Sequence, residues 1–267
     1  MDTDRIYKAL HLFSGIGGGA LGYQQARKES GGRMGRFETL CGIDVDAQAC
    51  EDFRRITSAP PMEMDLFARE DYVAFRGHEP PAGWTEATSY DIWRAMEGQT
   101  PDVVFLSAPC KGFSGLLPQQ CAAGDKYQAL NRLAVRGLRL TIEAFEDDLP
   151  ALILLENVPR IQTRGAALLA EIRAMLTRVG YVYLPQEQCK SQTKVTNFRR
   201  RPRLPKDVKR SFVFLDRICV QPYNTNLCRR LPATCQNSHS QSVFSYGAKR
   251  LSSRPEKHDG AAQPHNR

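Results

Sequence analysis

Runs of apolar residues alternate with segments of helical periodicity along the first two-thirds of the chain. Continuous apolar runs predict strands over residues 7–13, 38–44, 62–66, 102–108, 151–155 and 181–184. Apolar residues three and four positions apart predict helices over residues 20–28, 47–56, 127–147 and 165–179. Residues 76–101 contain Gly, Pro and Trp84 and are predicted to be rich in loops. Strands that alternate with helices indicate an α/β fold, a mostly parallel sheet with helices on both faces.

This alternation stops near residue 189. Residues 211–215 (SFVFL) are the last good strand candidate. From Pro222 the sequence is rich in Asn, Ser, Gln, Arg and Pro and has no sustained strand or helix period. Residues 222–267 are therefore predicted to be poorly ordered.

Composition agrees with a folded domain. Hydrophobic residues make up 42% and charged residues 25% of the chain, which is ordinary for a globular protein and excludes a wholly disordered or fibrous one. No apolar run reaches the roughly 18 residues that a membrane span needs. Residues 1–5 lack the basic and apolar regions of a signal peptide. We therefore expect a cytoplasmic protein without a membrane segment, whose 8 cysteines are thiols.

Charge is distributed unevenly along the chain. Residues 190–267 hold 17 Lys and Arg against 4 Asp and Glu, a net charge of +13. Residues 1–189 hold 20 against 25, a net charge of −5. A segment as basic as the second favours a polyanion such as nucleic acid. A solvated tail is the competing interpretation.

A glycine-rich turn follows the first predicted strand. Gly15 and Gly17 allow the backbone to approach a ligand, and residues 15–20 (GIGGGA) formally fit the dinucleotide fingerprint. Asp44 ends the second strand, where a carboxylate can accept hydrogen bonds from both ribose hydroxyls. Asp65 could accept one from the exocyclic amine of adenine. Together they predict an adenosine-containing cofactor, either a dinucleotide or S-adenosylmethionine; the competing interpretation of each aspartate is a helix N-cap.

Two further strand ends carry reactive side chains. Cys110 follows the strand over residues 102–108, and near a helix start or a lysine its thiolate fraction would rise, as a nucleophile requires. Most cysteines, however, are small buried hydrophobic residues. Glu156 and Asn157 follow the strand over residues 151–155, where a carboxyl group can stay protonated and donate to a ring nitrogen, or simply cap a helix. Ligands of parallel sheets bind at such strand ends, so all these groups are expected in one crevice.

In this order the motifs resemble those of the C5-cytosine DNA methyltransferase family. Residues 13–18 (FSGIGG) resemble its cofactor loop, and residues 109–114 (PCKGFS) resemble its nucleophile loop. Residues 156–158 resemble its Glu-Asn-Val motif, and residues 201–203 resemble its Arg-x-Arg motif. The resemblance covers residues 7–185, with an extension to about residue 215.

The resemblance implies a class I, Rossmann-like methyltransferase fold with S-adenosylmethionine as cofactor. The family's cofactor-binding residues correspond to Phe13, Ser14, Gly15, Gly17, Gly18, Asp44, Asp65 and Pro109. The family mechanism makes Cys110 the nucleophile that adds to C6 of cytosine, while Glu156 protonates or hydrogen-bonds N3. Asn157 would shape its loop, and Arg203, with Arg201, would contact the base carbonyl or a phosphate. Double-stranded DNA, from which the cytosine is flipped out, is the expected substrate.

The same resemblance divides the chain into three parts. Residues 1–189 form a catalytic cofactor-binding domain, residues 190–221 a remnant of the Arg-x-Arg region with its strand, and residues 222–267 a basic tail. The family's target-recognition region and returning helix are not found after residue 190, so we expect a truncated or frame-shifted end. Lys111 stands where the family most often has Gln. A lysine cannot accept a hydrogen bond as Gln can, so we expect this difference to change local contacts and not the reaction. A monomer is expected.

Three functions are compatible with these residues. The first is an active DNA cytosine C5-methyltransferase serving restriction–modification, phage self-protection or regulation. The second is a non-catalytic remnant that binds cofactor or DNA without turnover. The third is a nicotinamide oxidoreductase, which rests only on residues 15–20 and leaves Cys110 and Glu156 unexplained. No metal site is predicted, because a C-x2-C spacing is missing from Cys219, Cys228, Cys235 and His239.

Overall fold

The computed structural model describes residues 4–109, 113, 124–158, 160–184 and 211–215. The strands within these residues are β1 (Arg5–Leu12), β2 (Arg27–Ser30), β3 (Arg33–Asp44), β4 (Pro61–Glu63), β5 (Val103–Leu106), β6 (Leu152–Glu156), β7 (Val182–Leu184) and β8 (Ser211–Leu215). The helices are α1 (Gly18–Gln25), α2 (Ala47–Thr57), α3 (Arg69–Arg76), α4 (Ser89–Ala95), α5 (Asp125–Ala144), α6 (Ile161–Arg164) and α7 (Ala166–Arg178).

The strands in this part of the chain form one sheet. Its order is β2-β3-β1-β5-β6-β8-β7, and β4 pairs with the end of β3. All strand pairs are parallel except β2 with β3. That hairpin turns at Gly31 and Gly32, whose φ angles of 62° and 76° are the left-handed pair that a type I′ turn requires. The predicted α/β fold with a mostly parallel sheet is confirmed.

The central strands end at one level. Leu12 of β1 lies opposite Ile43 of β3, a register that a bulge in the middle of the pair makes possible. Leu12 also lies opposite Leu106 of β5, which in turn lies opposite Leu155 of β6. The residues that follow these four strands therefore start from one row along the sheet edge.

Helices cover both faces of the sheet. On one face, the His11 ring meets the Tyr23 ring of α1 edge-on at a centroid distance of 5.2 Å, and both rings contact Phe105. On the other face, a Cβ on Gly137 of α5 would lie 3.6 Å from Leu106. Because Phe105 and Leu106 are neighbours in β5, their alternation explains how one buried strand packs against two helix layers.

One prediction of local structure is wrong, and another missed a short helix. The first helix ends at Gln25 instead of Lys28, because the hairpin strand β2 begins directly after it. The segment 76–101 is rich in loops, as predicted, but it also contains α4. Thr88 and Asp91 form a capping box at its start, a sequence signal that outweighs the surrounding Gly and Pro residues.

The strand β8 lies between β6 and β7, and it is the only described part of residues 190–267. The division points expected at residues 189 and 221 fall outside the described residues, as do Arg201 and the basic tail. Among the helices of the described ranges, none is long and apolar enough to cross a membrane.

Candidate functional site

The candidate site lies where the strand order of the sheet reverses. From β1 the chain moves outward to β3 and β4 on one side, and it returns to β5 on the other side of β1. At such a reversal of strand order, a crevice is expected at the carboxyl ends of the strands. Ser107 connects its two sides: its hydroxyl donates to the carbonyl of Phe13 over 3.0 Å, and its N–H donates to that of Leu12 over 3.2 Å.

Hydrogen bonds attach the turn after β1 to the end of β3. The N–H of Ser14 donates to the carbonyl of Ile43 over 3.0 Å, and the N–H of Gly15 donates to the Asp44 carboxylate over 2.8 Å. The N–H of Gly17 then donates to the carbonyl of Ser14 over 3.0 Å. Gly17 is the N-cap of α1, and Gly18 is the first residue of the helix.

Three residues of this turn have a left-handed backbone, with φ angles of 56° at Phe13, 51° at Gly15 and 93° at Gly17. A bulky side chain rarely adopts such an angle. The Phe13 ring is held against α5, where a Cβ on Gly137 would lie 3.3 Å from Cε2 of the ring. Packing thus maintains a backbone conformation of a kind that clusters at ligand sites.

The two glycines of the turn serve different needs. A Cβ on Gly17 would lie 2.8 Å from Cγ2 of Thr57 and 2.9 Å from Cδ2 of Phe53, closer than real Cβ contacts come. A Cβ on Gly15 would meet no atom within 4 Å. Gly17 therefore permits the close packing of α1 on α2, while Gly15 provides the turn and leaves open space beside it.

Asp44 is the acidic group nearest to the turn. Its carboxylate accepts hydrogen bonds from the N–H of Gly15 over 2.8 Å and of Asp46 over 3.1 Å. Burial raises the pKa of the Asp44 carboxyl, and these backbone hydrogen bonds oppose the increase. The N-cap of α2 is Asp46, which accepts from the N–H of Ala49 over 2.8 Å. The helix-cap interpretation therefore applies to Asp46 and leaves Asp44 available for a ligand.

Asp65 lies two residues beyond β4, beside Asp44. The N–H of Met64 donates to the carbonyl of Asp44 over 2.8 Å, which holds this segment against the end of β3. The carboxylate of Asp65 accepts from the N–H of Phe67 over 2.9 Å in a local turn. The N-cap of α3 is Ala68, so the helix-cap interpretation fails for Asp65 as well.

Glu156 and Asn157 stand at the end of β6. Glu156 is half-buried, and burial raises the pKa of its carboxyl. A carboxyl with a raised pKa holds its proton closer to neutral pH and can then donate a hydrogen bond. Asn157 is buried, and its side-chain oxygen accepts from the N–H of Val158 over 2.9 Å, which fixes the turn out of the strand.

Cys110 and Arg203, predicted to be catalytic, lie outside the described residues. Pro109, adjacent to Cys110 in the chain, is half-buried beyond the end of β5. Phe113 is buried, and its Cε1 would lie 2.9 Å from a Cβ on Gly165. Phe113 therefore packs against the segment that follows Glu156, at the junction of α6 and α7.

The turn after β1 has features that fit an adenosine cofactor. The hydroxyl oxygen of Ser14 is buried and has no hydrogen-bond partner within the described ranges, so one polar atom of the turn is left for a ligand. Open space lies next to it at Gly15. No group of three His, Cys, Asp or Glu side chains that could hold a metal ion occurs in the described part of the chain.

Sequence reasoning missed two residues that shape the site. Ser107 joins the ends of β1 and β5, and its only sequence signal is a hydroxyl placed directly after a buried strand. Asp46 caps α2, and its signal was stronger, since Asp two positions beyond a strand and directly before a helical pattern is typical of an N-cap.

The chain was compared with known proteins. The family model described as C-5 cytosine-specific DNA methylase matches residues 7–186, more than half of the chain. Among solved structures, the Dnmt2 methyltransferase of S. pombe is similar, with 22% sequence identity and a TM-score of 0.41. That match covers 68% of this chain and 44% of the other, so this chain spans less than half the length of that structure. No curated protein matches.

Proposed function

Because the chain belongs to the C-5 cytosine-specific DNA methylase family, we propose that it transfers a methyl group from S-adenosylmethionine to C5 of cytosine in double-stranded DNA. One observation carries the proposal. Asp44 and Glu156 end their strands and the turn at Ser14 follows its strand. The carboxyl ends of these strands form one row around the point where the strand order reverses. A nucleoside cofactor and a base could occupy such a crevice side by side.

S-adenosylmethionine, when bound, supplies an electrophilic methyl group. The Asp44 carboxylate would accept hydrogen bonds from the ribose hydroxyls, since Gly15 and Asp46 use only part of its acceptor capacity. Asp65 would accept from the adenine amine, and the buried hydroxyl of Ser14 would gain a partner. The remaining wall of this site would be formed by Phe13, Gly15, Gly17, Gly18 and Pro109.

The protein's own residues would activate the cytosine. The thiolate of Cys110 adds to C6, so that a sulfur–carbon bond forms and the electron pair of the C5–C6 double bond moves toward C5. Glu156 gives its proton to N3, which neutralises charge that develops on the ring. As C5 accepts the methyl group, the bond between that methyl group and the cofactor sulfur would break and leave S-adenosylhomocysteine. The hydrogen on C5 then leaves as a proton to a base, N3 returns its proton to Glu156, the C5–C6 double bond forms again, and the sulfur–carbon bond of Cys110 breaks to return the thiolate.

Two further residues would support this chemistry. Asn157 shapes the turn in which Glu156 stands, through its hydrogen bond to Val158. Arg203 would contact the base carbonyl or a phosphate, as the family motif implies. The raised pKa of the Glu156 carboxyl is consistent with a group that must carry a proton before addition begins.

The test is transfer of labelled methyl from S-adenosylmethionine to unmethylated duplex DNA, with digestion of the product to nucleosides. We expect 5-methylcytosine from the wild type and none from Cys110→Ala, which should still bind the cofactor. A duplex in which 5-fluorocytosine replaces the target base should trap the wild type covalently, because a fluorine cannot leave as a proton does.

Two outcomes would contradict the proposal and favour another function. Calorimetric binding of S-adenosylmethionine without product, on a mixed-sequence DNA that contains many cytosine contexts, would favour the non-catalytic remnant. Binding of NAD in preference to S-adenosylmethionine would favour the nicotinamide enzyme.

A further inference from the structure

Two exposed arginines stand close to the candidate catalytic carboxyl. Arg160 directly precedes α6, and Arg164 ends it. Residues four apart on a helical turn lie on one side of it, where like charges repel. Both side chains are exposed, and neither forms an ion pair with any residue of the described ranges. The turn therefore presents two neighbouring positive charges without a described counter-charge.

The turn that carries them is firmly attached to the domain. The carbonyl of Arg160 accepts hydrogen bonds from the N–H of Arg164 over 2.8 Å and from the hydroxyl of Thr163 over 3.1 Å. Ile161 is only 2% exposed, and a Cβ on Gly165 would lie 2.6 Å from its Cγ1. The backbone beneath both arginines is thus fixed, and only their long side chains remain adaptable.

The position of the turn connects it to the proposed chemistry. Arg160 is four positions beyond Glu156 in the chain, a span of at most about 14 Å even if fully extended. Phe113, which follows the Cys110 segment, packs against Gly165 at the far end of the same turn. If the target base lies between the Cys110 segment and the Glu156 segment, the phosphates of its nucleotide would be within reach of an arginine side chain.

We propose that Arg160 and Arg164 bind the phosphate backbone of duplex DNA beside the target cytosine. This inference rests on the proposed function and names a binding surface for its substrate. The guanidinium group can bind phosphate oxygens in a bidentate fashion, and two such groups one helical turn apart could contact separate phosphates. Contacts of this kind would position the strand and carry no sequence preference.

The experiment measures how DNA binding depends on salt. A fluorescently labelled, unmethylated duplex is titrated with wild type, Arg160→Gln, Arg164→Gln and the double variant at several salt concentrations. Each lost phosphate contact should reduce the slope of log K against log salt by about 0.9, hence by about 1.8 in the double variant. The matched control is Arg178→Gln, an exposed arginine at the other end of α7. Its helix places it about 20 Å away from Arg164, so the slope should stay unchanged.

The readout separates failure of this inference from failure of the proposed function. Binding is measured without cofactor and without turnover, so a protein that never makes 5-methylcytosine can still show the change in slope. A wild-type slope in a double variant with an unaltered urea midpoint would overturn the inference. An equal decrease of the salt slope in Arg178→Gln would also overturn it, because the effect would then come from the overall charge of the protein. So would a decrease of the slope that is seen only with an RNA of the same sequence.

Discussion

Replacing Gly17 by alanine tests how the cofactor turn is packed, and Gly15→Ala is its matched control. Both glycines have a positive φ, so each substitution costs about 1–2 kcal/mol for the left-handed backbone. Alanine also reduces the conformational entropy of the unfolded chain, which offsets about 0.4–1 kcal/mol of the lost unfolding free energy. On these terms alone, both variants lose at most about 1.5 kcal/mol of unfolding free energy.

The contacts of the added methyl group distinguish the two variants. At Gly17 it would meet Thr57 and Phe53 at 2.8 and 2.9 Å. Thr57 cannot rotate away freely, because its hydroxyl donates to the carbonyl of Phe53 over 2.7 Å and accepts from Ala59 over 3.1 Å. Phe53 is fully buried and also fills the space over Gly42. Overpacking of this kind costs a further 1–3 kcal/mol or so.

The assay is urea unfolding followed by circular dichroism. Gly17→Ala should lower the free energy of unfolding by about 1–3 kcal/mol more than Gly15→Ala, at an unchanged m-value. Equal midpoints for the two variants, or a lower one for Gly15→Ala, would refute the reasoning, since the backbone contribution is common to both. A change in m-value would mean that the two variants do not share one unfolding reaction.

Three further predictions concern ionisable groups. Asp44→Asn should lower the affinity for S-adenosylmethionine by roughly tenfold to a hundredfold in calorimetry, because hydrogen bonds to a charged acceptor contribute about 1.5–3 kcal/mol. An unchanged affinity would show that Asp44 does not bind the cofactor. Burial raises the pKa of the Glu156 carboxyl, so its ionised form destabilises the fold above that pKa. Glu156→Gln should therefore be more stable than wild type in urea melts at neutral pH. This gain in stability should vanish on acidification, when the wild-type carboxyl is protonated. Burial lowers the pKa of His11 from 6.5 to about 4, so stability present above pH 6.5 should decline by about 3 kcal/mol as the pH falls to 4. His11→Leu should show no such decline between these pH values in urea melts, and a decline equal to wild type would assign the effect to other groups.

The alternation of apolar runs and helical periods was sufficient to predict most of the sheet and its helices. It works because a strand buried on both faces must be apolar throughout, while a helix on the sheet needs only one apolar side. The segments that it missed, β2, α3, α4 and α6, are short. Their signals are local ones, a Gly31-Gly32 turn and a capping box at Thr88, which periodicity does not detect.

The sequence alone predicted which chemical groups the candidate site contains. Polar residues at strand ends stand out against buried runs, and a parallel sheet brings strand ends to one edge. Asp44 and Glu156 were therefore predicted from their positions, and Ser14 from the family resemblance. The tertiary structure decided how these groups are buried and hydrogen-bonded. Asp46 has the sequence signal of an N-cap, and its hydrogen bond from Ala49 confirms it, whereas only the tertiary structure shows that Asp44 bonds to the turn after β1. The order of strands, with β8 between β6 and β7, and the left-handed backbone of Phe13 likewise depend on contacts between residues far apart in the chain, which no local pattern encodes.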